Sequence, residues 1–216
     1  MQKSREVVTF DLDDTLCLEV DFLKSAYQEI ANYLDKSQNE QLYQSMLKDY
    51  FNHKNVFEEL TLKYNVEFTS LLRIYRTHQP KLQLKQDVET LILKLKSLSI
   101  PLGIITDGRS VTQRNKIQAL GLDKLIDDIV ISEEFGYSKP SEKVFKYFMD
   151  KYPKSEYYYI GDNLKKDFIT ANFLRWKTYG IKDKGNNIHS QDVELPIEYY
   201  PNQGFIDDFS NLDFKL

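Results

Sequence analysis

The chain has 216 residues, enough for one domain or for a core carrying a smaller inserted lobe, but not for two full-sized independent domains. Its 33 acidic against 29 basic residues leave a formal net charge of −4, which makes no electrostatic case for nucleic acid or an anionic membrane, so a phosphate-bearing ligand needs a local positive site. The lone cysteine, Cys17, excludes an intramolecular disulfide scaffold and fits a cytoplasmic setting.

Met1 to Glu6 is polar and runs directly into the first apolar segment without a signal-peptide layout, and no apolar stretch approaches about 18 residues, so the chain is expected to be soluble and untargeted. Val7-Val8-Thr9-Phe10 reads as a strand that ends in Asp11-Leu12-Asp13-Asp14-Thr15. Residues at i and i+2 of a strand share a face, and two carboxylates about 4 Å apart there would repel by roughly 1 to 4 kcal/mol. Something positive should sit between or beside them.

From Val20 to His78 the apolar positions recur at spacings of three and four, among them Phe22, Leu23, Tyr27, Ile30, Leu42, Met46, Phe57, Leu60, Leu71 and Tyr75, which predicts helices without a strand. Asp35-Lys36-Ser37-Gln38-Asn39 breaks the run, His53-Lys54-Asn55 interrupts it as a solvated loop or a cleft-facing one, and Pro80 closes it. From Asp87 helices alternate with strands: a helix through Leu98, a strand Ile100–Thr106, a helix Val111–Leu120 closed by Gly121, and a strand Ile129–Ile131. A helix from Glu142, a strand Tyr157–Ile160, a helix from about Lys165 to Phe173 and a strand Lys177–Ile181 follow. Alternation of this kind implies right-handed crossovers and a parallel sheet. Lys182 to Pro201 is polar and reads as a long loop or partly ordered excursion, before a short strand at Phe205-Ile206 and a capped turn after Asp208.

In open parallel sheets the ligand lies beyond the carboxyl ends of the strands. Three apolar runs end in polar groups: Asp11 after Val7–Phe10, Thr106-Asp107-Gly108 after Leu102–Ile105, and Asp162 after Tyr157–Gly161. A fourth element, Gly136-Tyr137-Ser138-Lys139-Pro140-Ser141, sets a lysine just before a helix. Carboxylates, a hydroxyl and a lysine in this arrangement suit phosphoryl transfer, whose barrier no single contact lowers enough. His53, His78 and His189 are too scattered for a zinc site.

The ordered set Asp11-Leu12-Asp13-Asp14-Thr15, Thr106-Asp107-Gly108, Lys139-Pro140 and Gly161-Asp162-Asn163-Leu164-Lys165-Lys166-Asp167 resembles the haloacid dehalogenase superfamily over nearly the full chain. Thr106 to Ile117 further resembles its branch of nucleotidases and N-acylneuraminate-9-phosphatase. The resemblance implies an α/β fold, with a Rossmann-like parallel core formed by residues 1–17 and 81–216 and a helical cap, residues 18–80, inserted after the first strand. It implies Asp11 as the nucleophile forming an aspartyl-phosphate and Asp13 as the acid, later the base, with Asp13 distinguishing a phosphatase from a dehalogenase. Mg²⁺ would be held by the Asp11 side chain, the Asp13 carbonyl and Asp162. Leu12, Thr106, Asp107, Gly108 and Lys139 would line the phosphoryl group, with Thr106 and the N–H groups of Leu12 and Asp107 donating to it. Asp167 would orient Lys139 or a metal-bound water.

Asp107 stands where related phosphatases often carry Asn, adding negative charge near the phosphate. Asp14 reads as a turn residue, Cys17 as packing, and Arg109 as a substrate contact or a structural ion pair. The leading expectation is a Mg²⁺-dependent phosphatase of a small cytoplasmic phosphorylated metabolite, with no nucleic-acid or membrane partner and no stated oligomeric order. A phosphomutase, a phosphoacceptor switch and a non-catalytic ligand-binding protein are the alternatives.

Overall fold

The computed structural model describes residues 5–212, whose strands form one six-stranded parallel sheet. They are β1 (Arg5–Phe10), β2 (Leu102–Thr106), β3 (Asp128–Ile131), β4 (Ser155–Gly161), β5 (Lys177–Ile181) and β6 (Phe205–Ile206), lying in the order β3-β2-β1-β4-β5-β6. The chain builds outward from β1 to β3 and then returns to lay β4 on the other side of β1. That reversal opens a crevice at the carboxyl ends of β1 and β4. Phe10 is level with Ile104 of β2 and with Ile160 of β4, so Asp11, Thr106 and Asp162 leave the sheet within one pleat of each other.

Strand alternation sorts the core into two layers. Val8, Phe10, Leu102, Ile104, Tyr158 and Ile160 pack against Val88, Leu91, Ile92 and Leu95 of α5 (Gln86–Ser97, numbered after the four helices of the inserted lobe) and Ile117 of α6 (Ser110–Ala119). Val7, Ile105, Val130 and Tyr159 face the other way. There they meet α8 (Glu142–Lys151), which follows the short α7 (Ser132–Phe135), and α9 (Phe168–Phe173), through Val144, Phe145, Phe148 and Ala171.

Between β1 and α5 lie α1 (Glu19–Leu34), α2 (Asn39–Phe51), α3 (Val56–Tyr64) and α4 (Phe68–Thr77). Their inward residues, including Leu23, Tyr27, Ile30, Leu42, Met46, Leu60 and Leu71, form an apolar cluster of their own. The break expected at Asp35 has a local cause, its carboxylate accepting from the Ser37 and Gln38 N–H groups, and a further break, not read from the sequence, falls where Asn65 ends α3 with φ 50°. His53, Lys54 and Asn55 are exposed; Lys54 pairs with Asp49, and Asn55 caps α3 by accepting from the Glu58 N–H, so this interruption is a solvated loop. The lobe is sewn to the core where α6 receives the terminal carbonyls of α4. Thr112 Oγ1 donates to Arg76 O at 3.1 Å, and Asn115 Nδ2 to His78 O at 2.9 Å.

Four element starts differ from the sequence reading by two residues or more. β1 and β4 begin at Arg5 and Ser155, not Val7 and Tyr157, because Ser155 and Glu156 pair with Arg5 and Glu6. β2 begins at Leu102, not Ile100, because Pro101 has no N–H for the ladder and supplies only its carbonyl, to Val8 N. α9 begins at Phe168, not near Lys165, because the Asp167 carboxylate accepts the N–H groups of Asp162 and Asn163 and holds that stretch as a turn. The segment after β5 is an ordered excursion with one 3-10 turn, Ile197–Tyr199, and β6 and the Asp208-capped turn Phe209–Asn211 follow as expected. Among the described residues no helix is long and apolar enough to cross a membrane.

Gly103 of β2 sits beneath the Phe148 ring, where a Cβ would lie 2.2 Å from a ring carbon and 2.9 Å from the Thr9 methyl. Gly103→Ala is expected to destabilise the fold by about 1–3 kcal/mol through overpacking, read from urea denaturation. An unchanged midpoint would contradict that packing.

Candidate functional site

Each polar strand end opens into one cavity of about 290 Å³, walled by Asp11, Asp13, Thr106, Lys139 and Asp162 from the core and by Phe22, Tyr75 and Arg76 from the helical lobe. At its floor the Lys139 ammonium donates to the Asp11 carboxylate, forms an ion pair with Asp167 Oδ1 at 2.8 Å, and reaches the Tyr159 hydroxyl at 3.0 Å. Lys139, Asp11 and Asp167 are all buried. Lys139 is itself placed by Asp107, whose Oδ1 accepts from the Lys139 N–H at 3.0 Å, while Lys166 offsets the charge of Asp107 from 3.4 Å. The acidic residue at that position therefore has a side-chain task that its sequence position did not reveal.

Asp11 and Asp13 do not share a strand face. β1 ends at Phe10, and Asp13 lies in the turn beyond it, where its backbone bridges to Cys17 and Asp14 takes φ 55°. The two carboxylates consequently have separate cations, Lys139 for Asp11 and Lys116 for Asp13, the latter at 2.5 Å. The positive charge that the pair demanded is present twice. Asp14 is the turn residue expected of it, accepting from Glu19 N at 2.8 Å and from Ile188 N at 2.9 Å. Cys17 is packed in the core, and Arg109 pairs with Glu133 at 2.8 Å at the rim.

The phosphate-facing expectations meet the structure unevenly. Thr106 and Gly108 line the cavity, and the N–H groups of Leu12 and Asp107 meet no acceptor among the described residues. The Gly108 N–H, by contrast, is already donated to Ser132 Oγ at 2.9 Å. The Leu12 side chain is wholly in the core, so only its backbone reaches this side.

Asp11, Asp162 and Asp167 present carboxylate oxygens within 4.8 Å of one another, all buried. Against three carboxylates stands one buried ammonium, Lys139, leaving a deficit that matches one divalent cation. Asp167 has no oxygen to spare, since Oδ2 accepts two backbone N–H groups and Oδ1 serves Tyr159 and Lys139. Asp11 and Asp162 are the members with lone pairs available, so the donor set fits a hard, oxygen-binding ion. Without such an ion, burial, reinforced by neighbouring carboxylates, pushes the Asp11 carboxyl well above the usual range and Asp162 up to about 9. Burial alone would lower Lys139, but Asp11 and Asp167 more than offset it and hold the ammonium protonated.

Several participants escaped the sequence reading. Gln113 and Lys116 of α6 grip Asp13; Glu19, at the start of α1, has its carboxyl pushed to about 7 by burial and by Asp13. From the polar loop after β5, Asn187 Nδ2 donates to Asp162 Oδ2 at 3.0 Å and Gln191 Nε2 to Asp162 O at 2.9 Å. The available signal was in α6, whose inward face carries Gln113, Asn115 and Lys116 where apolar residues belong.

A doubly wound parallel sheet with an acid-lined crevice at its switch point and an inserted helical lobe defines the class, and comparisons agree. A family model for haloacid dehalogenase-like hydrolases matches residues 8–181, and the chain belongs to that family. It is 28% identical over 200 residues to a glyceraldehyde 3-phosphate phosphatase of Methanocaldococcus jannaschii, covering 82% of this chain and 88% of that protein. A pyrimidine 5'-nucleotidase of Escherichia coli, YjjG, is 35% identical over 71 residues, 32% of each chain. Among solved structures, the HAD-hydrolase YfnB of Bacillus subtilis, bound to magnesium, superposes with a TM-score of 0.65 at 22% identity over 96% of both chains.

The raised carboxyls set a pH dependence. Between pH 7 and 9 the folded, metal-free protein keeps on Asp162, pushed up to about 9, a proton that the unfolded chain has released, so its stability falls as pH rises, and the raised Asp11 carboxyl acts in the same direction. The melting temperature of the chelated protein should drop across that window, and a saturating divalent cation should remove most of the drop. A flat profile without metal would contradict the charge deficit.

Proposed function

We propose that the chain hydrolyses a small phosphomonoester through an aspartyl-phosphate on Asp11, with Mg²⁺ as the ion, and that a three-carbon sugar phosphate such as glyceraldehyde 3-phosphate is the substrate to test first. The observation that carries this reading is the buried Asp11–Lys139–Asp167 array beside Asp162, at the switch point of the sheet and at the floor of a cavity shared by the core and the helical lobe. Relatives that align over most of this chain are glyceraldehyde 3-phosphate phosphatases by name, and a cavity of about 290 Å³, at the low end for small-molecule sites, suits a small sugar phosphate.

In this reading one Asp11 oxygen stays with Lys139 while the other attacks phosphorus, and the bond from phosphorus to the substrate oxygen breaks. Asp13 gives its proton to that leaving oxygen, and in the second half takes a proton from the water that attacks phosphorus, releasing inorganic phosphate and restoring Asp11. Thr106 and the N–H groups of Leu12 and Asp107 donate to the phosphoryl oxygens, and Lys139 offsets charge between nucleophile and phosphate. The side chains of Asp11 and Asp162 with the Asp13 carbonyl would hold Mg²⁺, which when bound neutralises charge on nucleophile and phosphate. Asp167 keeps Lys139 in place. Residues 18–80 act as a cap over residues 1–17 and 81–216, with Phe22, Tyr75 and Arg76 excluding water from the reacting group. The reaction belongs to the cytoplasm, where phosphorylated metabolites are made.

Phosphate release from glyceraldehyde 3-phosphate should require Mg²⁺, stop on chelation and return when the ion is restored. Asp11→Asn should lower kcat by at least about 10³-fold, since it removes the attacking group. Wild-type-like turnover by that variant would remove Asp11 from the nucleophile's role.

A further inference from the structure

Asp13 is held on both oxygens by α6. Lys116 Nζ donates to Oδ1 at 2.5 Å and Gln113 Nε2 to Oδ2 at 2.8 Å, the two donors standing three residues apart on one helix face. The same Gln113 amide nitrogen donates its second proton to Asp107 O at 2.8 Å, so one side chain ties the turn after β1 to the turn after β2. With both protons committed to acceptors, the amide orientation is determined, and Oε1 is left buried without a partner among the described residues. Gln113 therefore acts here through its two donor protons.

The surroundings are built around this grip. Gly108 has φ 141°, and a Cβ there would lie 2.7 Å from Gln113 Nε2, so the glycine of the Thr106 motif clears the space that the amide occupies. Lys116, its side chain 2% exposed, is covered by the Phe22 ring of α1 at 4.5 Å from the ammonium, while the Asp13 side chain keeps 18% of its surface on the cavity. The cation is almost wholly buried, while the carboxylate keeps an open edge on the cavity that both residues line. That asymmetry is unnecessary for a bridge that only holds a loop.

We infer that Gln113 and Lys116 are positioning residues for proton transfer, clamping the plane of the Asp13 carboxyl so that it can meet the leaving oxygen of the substrate. The inference rests on the assignment of Asp13 as the acid. In this role each acts through Asp13, the group that both hold. The reaction gains no new covalent step, and the proton still passes from Asp13 to the departing alkoxide as the ester bond breaks.

The test is leaving-group release in the first turnover, by rapid quench with Mg²⁺, for an alkyl phosphomonoester and for p-nitrophenyl phosphate, whose nitrophenolate departs without needing a proton. In Lys116→Met and in Gln113→Leu, alkanol release should slow about 100-fold while nitrophenolate release changes less than about threefold. Because both substrates are read from one preparation, the ratio does not depend on how much of a variant is folded, and two independent variants guard against the loss of either. Proportional loss on both substrates would overturn the inference and leave the clamp a structural bridge. Asp13→Asn is the reference: a selective loss there with none in the clamp variants rejects the clamp alone, whereas no selectivity in Asp13→Asn rejects the acid assignment and the clamp with it.

Discussion

The Lys139 ammonium between Asp11 and Asp167 is the contact on which the site depends. Bringing carboxylates out of water to the ends of β1 and β4 is unfavourable, and one buried ammonium hydrogen-bonded to two of them is what makes the floor of the crevice possible. The array reaches outward through named bonds. Asp167 turns the chain after β4 by taking the N–H groups of Asp162 and Asn163, Tyr159 bridges Lys139 and Asp167, and Asp107 fixes the lysine's backbone. A buried ion pair of this kind is weak evidence for stability, since removing both partners can be neutral while removing one costs about 3–5 kcal/mol. The fold's stability comes instead from the apolar layers on either side of the sheet, and the charges are there for chemistry.

The ordering of that chemistry along the chain explains why so much was legible beforehand. A doubly wound sheet delivers ligand-binding groups at strand ends, so Asp11, Thr106 and Asp162 announce themselves as polar residues closing apolar runs, and Lys139 as a cation opening a helix. Helix spacing in the lobe was equally readable, because each helix needs one apolar face and no more. What stayed hidden depends on partners far away in sequence. Lys116 meets Asp13 across 103 positions and Ile188 meets Asp14 across 174, and no local period encodes either. The start of α9 was misplaced for the same reason in miniature: the Asp167 carboxylate, not helix propensity, decides where the turn ends. Asp107 looked like surplus charge until its hold on the Lys139 backbone and its neighbour Lys166 were seen.

Substrate recognition follows from the division of labour between the two parts of the chain. The core supplies every group proposed to touch phosphorus, while the lobe contributes Phe22, Tyr75 and Arg76 to the opposite wall. Arg76 sits where α4 hands its last carbonyls to α6, so its placement depends on the seam made by Thr112 and Asn115 and not on the lobe's interior.

The proposed chemistry turns on a covalent bond between Asp11 and phosphorus. Rapid acid quench during turnover of a ³²P-labelled phosphomonoester, followed by proteolysis and peptide mass spectrometry, should find the phosphoryl group on the peptide containing Asp11, labile to hydroxylamine and absent from Asp11→Asn. Turnover without a labelled protein at any quench time, or a label on another residue, would contradict it.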